Sequence, residues 1–226
     1  MTNTVVQEST EFLKAVLRFE IDFSSFYCSF EKLENTTLEY LSNTEKLIVW
    51  VNLYNALMQI ELKNMQNETV DKSIFSKKIF KIASQQVSLD EIEHGILRRN
   101  KLKQALGYLS GSYLNSVTKK WMCDVLDARL HFQLNCGAVS CPMIHVLTEA
   151  NIEIELREGE RDFLRLETDI NHEKKLLIIS RLFLFYRKDF GGKAKIKSLV
   201  NQFHAFPTYK LKYKRWNWKI HSFKIK

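Results

Sequence analysis

The sequence is short of the residues that break or staple a chain. Two prolines and seven glycines occur in 226 residues, and no Gly/Ser/Pro-rich stretch separates two halves. Without a linker, a single domain over residues 1–226 is the expected organisation. Unbroken apolar runs are equally scarce. The longest, such as Leu47 to Val51 and Leu182 to Tyr186, hold five residues, against the roughly 20 needed to span a bilayer as a helix. The opening residues, MTNTVVQEST, have no basic start, no apolar stretch and no small-residue cleavage site, so they do not read as a secretory signal. A cytoplasmic protein without membrane association is expected.

Cysteine is sparse too. Cys28, Cys123, Cys136 and Cys141 are the four present, and in a chain without an export signal reduced thiols are the default. The spacing Cys136-x4-Cys141 is not that of a zinc knuckle, and no second Cys/His pair at ligand spacing lies near it. Neither a structural metal nor a cofactor is expected.

Acidic residues are missing from one end. The net charge is 34 − 26 = +8, but Asp189 is the last acid and ten bases follow it, so residues 1–189 carry 24 bases and 26 acids. The basic character belongs to a strand-rich extension, 192–226, whose lysine-rich face is an ordinary defence against edge pairing. Its apolar parity changes from Tyr209, Leu211 and Tyr213 to Trp216, Trp218 and Ile220, so a bulge or turn is expected near Lys214-Arg215. Nucleic-acid binding is a less favoured reading of this tail. It would use Lys210, Lys212, Lys214, Arg215 and Lys219, interleaved with Tyr213, Trp216 and Trp218, but no recognised nucleic-acid motif accompanies them.

What is present is a large apolar complement, 45% of the residues, enough for one sizeable core. Phe12, Ala15, Val16 and Phe19 stand at helical spacing within 8–19, and a second helix is expected between Phe23 and Leu33. The capping box Ser42-x-x-Glu45 opens a long helix through Ile60 that is apolar around most of its circumference and therefore central. A second box, Ser88-x-x-Glu91, opens a helix to Arg98 behind a short strand at Ile79–Ile82. Strands are expected over 129–134 and 175–179, and helices over 148–167 and from Ser180 to Lys188, the last ended by Gly191-Gly192. The expected fold class is α+β: N-terminal helices including a long central core helix, then a mainly antiparallel sheet with further helices.

The segment Leu126 to Pro142 concentrates candidate chemistry. On a strand over 129–134, Arg129, His131 and Gln133 share one face, and the chain then turns through Asn135, Cys136, Gly137 and Cys141. A cysteine beside an imidazole or near Arg129 loses its proton more easily and becomes a nucleophile. The same alternation is also what any half-exposed sheet produces. On the long helix, Asn52, Asn55 and Gln59 form an amide stripe. The stripe either faces water or is buried, and a buried amide left unpaired costs about 1–3 kcal/mol. The polar face of the 129–133 strand is one candidate partner. His94 and Arg98 share a helix face at i, i+4, whereas Glu93 and Arg98, five apart, are not an ideal helix pair. Tyr186 and Asp189 carry little weight alone.

Taken in order, Trp50-Val-Asn-Leu-Tyr-Asn-Ala-Leu57, Ser88-Leu-Asp-Glu-Ile-Glu-His-Gly-Ile-Leu-Arg98, the Asp127 to Pro142 block and Phe185-Tyr-Arg-Lys-Asp-Phe-Gly191 resemble the signature blocks of the family named domain of unknown function 547. The resemblance spans about residues 40–191 and implies one compact domain. It also implies a distant relation to papain-like and transglutaminase-like cysteine enzymes. Those place the cysteine at the start of a core helix, with a histidine following on a strand. Here the core helix offers Asn52 and Asn55 at that place, and both candidate thiols follow His131. A further departure is Asp127-Ala-Arg129, where the family leads one to expect Asp-Pro-Arg.

The expected function is a pocket for a small peptide-like or thiol-containing ligand, acting on it by acyl transfer or hydrolysis. Cys136 or Cys141 would be the nucleophile and His131 the base, with Asn52 or Asn55 orienting the imidazole or donating to an oxyanion. Arg129, Gln133, Asn135, His94 and Arg98 would bind the ligand, Arg129 through its forked donors to a carboxylate. The alternative is a non-catalytic binding or scaffold domain in which these residues form a buried polar network.

Overall fold

The computed structural model of the chain describes residues 4–18, 24–206 and 208–220. Phe19 and Phe23 lie outside them. Four helices open the fold: α1 (Thr4–Leu17), α2 (Ser24–Lys32), α3 (Asn35–Glu39) and α4 (Asn43–Asn64). The Ser42 capping box is complete, with Ser42 Oγ accepting from the Glu45 N–H and Glu45 Oε2 accepting from the Ser42 N–H. Every residue of α4 from Lys46 to Gln59 is buried, so α4 is the axis of the core. α1 packs along it through Phe12, Leu13 and Val16.

The hairpin β1 (Phe80–Ile82) and β2 (Gln85–Val87) follows. Its last residues lead into the second capping box, with Ser88 N–H donating to Glu91 Oε2 and Glu91 N–H to Ser88 Oγ. The helix this box opens, Glu91–Leu97, is a π-helix: the N–H groups of Arg98 and Asn100 donate to the carbonyls five residues back, Glu93 and Gly95, at 2.8 Å. The i→i+5 winding brings Glu93 and Arg98 closer to one face than an α-helix would, near enough for the Arg98 charge to act on Glu93.

Residues between Trp121 and Leu147 largely complete the first core, and a second core forms around α5 (Ile152–Glu167), a three-stranded sheet and α6 (Leu182–Phe185) with α7 (Lys193–His204). In the sheet, β3 (Asp169–Asn171) runs antiparallel to β4 (Leu176–Ile179), and β5 (Lys210–Tyr213) pairs parallel to β4 on its other side. The basic extension is therefore part helix: α7 buries Ile196 and Val200 under the sheet, and Gly191 and Gly192 lead into it with φ of 77° and 93°. Beyond β5 the chain changes register at Lys214-Arg215, and residues 219–220 bridge to Thr69 and Ala138. Trp216 and Trp218 are half-buried while Asn217 between them is exposed, and Trp216 packs against both cores. No described helix is long and apolar enough to cross a membrane.

One expected strand is absent. Residues Ala128–Phe132 form a 3-10 helix, capped by Asp127, whose Oδ1 accepts from the Arg129 N–H at 2.9 Å. At three residues per turn, positions two apart diverge by about 240°. Arg129, His131 and Gln133 consequently point three ways rather than sharing a face.

Candidate functional site

Where the two cores meet there is a cavity of about 440 Å³. Its lining draws on distant parts of the chain: Tyr54 of α4, Glu93 and His94 of the π-helix, His131, Cys136 and Cys141, Leu182, Phe185 and Tyr186, and Trp216 and Trp218 of the tail. Most of the wall is apolar or aromatic, and the polar groups gather around the two imidazoles.

The ring of His131 stacks on Tyr186, centroids 3.8 Å apart and planes 14° from parallel. His131 Nε2 lies 3.0 Å from Asp189 Oδ2. A carboxylate only accepts, so Nε2 carries the hydrogen. Nδ1 is then an acceptor, and it is buried with no hydrogen-bond partner among the described residues. Asp189 Oδ2 also accepts from Arg98 Nε at 2.7 Å. Burial works against the Asp189 carboxylate, but these bonds from His131 and Arg98 hold it below the ordinary carboxylate range. Burial first, and then the Arg98 charge, push His131 down, which keeps the imidazole neutral.

Arg98 is wholly buried and reaches the second imidazole as well. Its Nη1 lies 2.8 Å from His94 Nδ1. A guanidinium only donates, so Nδ1 of His94 is the acceptor and its hydrogen sits on Nε2. Burial above all, with help from Arg98, lowers His94 to about 4. The two neutral imidazoles are thus fixed in opposite tautomers, with a lone pair unpartnered on His131 among the described residues and an N–H on His94 that lies 3.5 Å from Asp90 Oδ1. Tyr186 completes the cluster: its hydroxyl donates to Glu93 Oε1 at 2.6 Å and its ring lies 4.6 Å from the Arg98 guanidinium. Burial opposes the charge on Glu93, yet His94, the Tyr186 hydroxyl and Arg98 hold its carboxyl below the usual range. Tyr54, buried on α4, also lines the cavity. A close approach protects Asp189 on the far side. Gly107, at φ 82°, lies where a Cβ would overlap the Asp189 carboxylate, and the neighbouring Leu106 carbonyl accepts from the Lys188 N–H.

The thiols sit on a clamped turn. Asn135 Oδ1 accepts from the Gly137 N–H at 2.7 Å while its Nδ2 donates to the Pro142 carbonyl, tying the turn's two ends together. Cys136 is half-buried and its N–H donates to Cys141 Sγ at 3.2 Å. Donation of the Cys136 thiol to Cys141, together with burial, pushes its pKa well above the ordinary value. The activated thiol expected from the sequence is therefore not the resting state. Arg129, invoked for that activation, is elsewhere: it forms a surface cluster with Asp127 and Glu153.

The other expected site residues hold the scaffold. Asn52 brackets the backbone of Leu147, donating to its carbonyl at 2.9 Å and accepting from its N–H at 3.1 Å. Asn55 does the same across the approach to the turn, donating to the Gln133 carbonyl and accepting from the Asn135 N–H, both at 2.9 Å. Neither touches His131, and neither lines the cavity. The partner that orients the imidazole is Asp189, 58 residues along the chain. Gln133 donates to the Leu156 carbonyl against Gly159, where a Cβ would overlap its amide, and so docks α5. Of the expected ligand-binding residues, His94 lines the cavity, Arg98 lies behind it, and Arg129, Gln133 and Asn135 do not line it. Tyr54, Glu93, Tyr186 and Asp189 were not among the expected site residues. The spacing Tyr186-x-x-Asp189 inside a family block was the available signal for two of them.

Among the described residues, no group of three His, Cys, Asp or Glu side chains is arranged to hold a metal ion. Residues 38–164, 127 of the 226, match the model of a family described as "Protein of unknown function, DUF547". No curated protein and no solved structure matches the chain.

Proposed function

Starting from the chain's membership of the DUF547 family, whose description assigns no activity, we propose that the cavity is a cysteine-dependent acyl-transfer or hydrolytic site for a small peptide-like or thiol-containing substrate, working in the cytoplasm. The observation that carries this reading is His131: Asp189 fixes its Nε2–H, while its Nδ1 lone pair has no partner among the described residues and the ring lines a cavity that also holds two thiols. An orphaned buried acceptor costs free energy, and in a native fold it calls for an explanation.

Cys136 is the more accessible of the two thiols and takes the nucleophile's part. Because it rests protonated, the pair works as a thiol with a general base rather than as an ion pair. Substrate in the cavity brings thiol and imidazole together, Nδ1 of His131 accepts the thiol proton, and sulfur bonds to the substrate carbonyl carbon. The developing oxyanion is met by His94 Nε2–H and the Tyr54 hydroxyl. Collapse breaks the bond to the leaving group, which takes the proton from His131. Water or a second acceptor then repeats the steps in reverse and frees Cys136.

The non-catalytic binding pocket is favoured by one observation: neither thiol hydrogen-bonds to His131. An activated ester separates the readings. The p-nitrophenyl ester of 4-phenylbutyric acid is expected to leave an acyl group on Cys136, seen by mass spectrometry, at a rate that falls at least a hundredfold in His131→Gln and vanishes in Cys136→Ser. Acylation of Cys136 at equal rates with and without His131, or no acylation in the native protein, assigns the cavity to binding alone.

A further inference from the structure

The walls and mouth of the cavity specify more than the reacting groups do. Phe75, Leu134, Phe185, Trp216 and Trp218 make a long apolar surface, and a volume of about 440 Å³ lies in the range of sites that enclose small molecules. The charged groups on the lining differ in how they are employed. Glu93 is bonded to Tyr186, and Asp90 pairs with Lys103 at 2.9 Å. Lys72 is different. It is exposed and has no carboxylate partner among the described residues, and its ammonium rests over the ring of Trp218, 4.3 Å from the centroid. A cation held on an aromatic wall, with its charge unneutralised, is a receptor for an anion at the end of an apolar body.

We infer that the cavity takes an apolar acyl or aryl compound with one free carboxylate, the apolar body lying along Trp216 and Trp218 and the carboxylate held by Lys72. The inference rests on the acyl-transfer reading for one point only, that the end remote from Lys72 faces Cys136. Of the two lysines on the lining, Lys103 is already neutralised by Asp90, so the one unpaired ammonium matches a singly charged group better than a phosphate dianion.

Binding of compounds without a scissile bond tests this independently of turnover. The probes are 4-phenylbutyrate, 4-phenylbutan-1-ol and 4-phenylbutyl phosphate, titrated by calorimetry at low salt, with the change in tryptophan emission as a second readout. The acid is expected to bind at least tenfold more tightly than the alcohol and more tightly than the phosphate. In Lys72→Gln the acid-to-alcohol ratio falls to near one with alcohol binding retained, and in Lys72→Arg most of the preference survives. A ratio near one in the native protein, a ratio untouched by Lys72→Gln, or a tighter phosphate overturns the proposal. Absence of binding by all three probes overturns it as well. Failure of Cys136 to acylate, with the Lys72-dependent preference intact, removes the catalytic reading and leaves this one standing.

Discussion

Arg98 and Asp189 meet at 2.7 Å with both side chains out of contact with water. This pair fixes both imidazoles, since Asp189 sets the tautomer of His131 and Arg98 that of His94. Removing one partner leaves the other as a buried, uncompensated charge, which costs about 3–5 kcal/mol. Asp189→Asn is therefore expected to lower stability by that amount in urea unfolding and to suppress Cys136 acylation. A variant as stable as the native protein would remove the pair from its structural role.

The same cluster predicts acid sensitivity. His94 titrates near 4 in the folded chain against 6.5 ordinarily. Between these values the unfolded chain binds a proton that the folded chain does not, so stability is lost as pH falls from about 6.5 to 4. That window alone is worth roughly 3 kcal/mol. His131, also lowered, acts in the same direction. Asp189 and Glu93, held below the carboxylate range, keep their contribution until lower pH, where protonation removes it. Urea midpoints measured at pH 7, 5.5 and 4.5 should fall steadily, and less steeply in His94→Gln. A flat profile would contradict the assignment of neutral, buried imidazoles.

Brief iodoacetamide treatment at pH 7.5 should label Cys28 first, because it is the exposed thiol. Cys136 should lag, with its thiol pushed up by Cys141 and by burial, and buried Cys123, pushed up to about 12 by burial, should barely react. The sequence alone suggests the opposite order. Rapid selective labelling of Cys136, resolved by peptide mapping, would restore the thiolate reading.

Asn55→Leu improves helix propensity but strips the Gln133 carbonyl and the Asn135 N–H of their partners. Two buried backbone groups left unpaired cost on the order of 2–6 kcal/mol. A loss of melting temperature is expected, together with a looser Cys136 turn and faster thiol labelling. An unchanged melting temperature would show that the turn finds other partners.

Deleting residues 209–226 removes β5 from the sheet and the indoles of Trp216 and Trp218 from the cavity wall. Several kcal/mol of stability should go with them, since each indole covers a large apolar area. If the shortened chain melts unchanged while the intact one binds oligonucleotides in a steeply salt-dependent manner, the tail is a nucleic-acid arm instead.

The legible parts of this structure are those governed by local chemistry. Ser42 and Ser88 announce their helices because a cap is settled within four residues. The 129–134 segment misleads because alternation of polar and apolar residues fits a strand, while the deciding group, Asp127, acts by turning the backbone just before it. Glu93 and Arg98 mislead for a related reason: five-residue spacing looks unproductive until the helix is wound as a π-helix. Asp189 stands in a family block beside Tyr186, but its neighbours do not disclose its role. Its meaning comes from His131 and Arg98, 58 and 91 residues away, and only the closed fold brings them together.

That geometry also sets an order of assembly. Tyr54, His94, His131 and both thiols are synthesised well before Asp189, and Asp189 before Trp216 and Trp218. During translation the thiols thus exist for a time without the carboxylate that orients His131 and without the two indoles of the cavity wall. On the acyl-transfer reading proposed above, reactivity would be switched on only by completion of the chain, and a prematurely terminated product would carry the nucleophile without the means to use it.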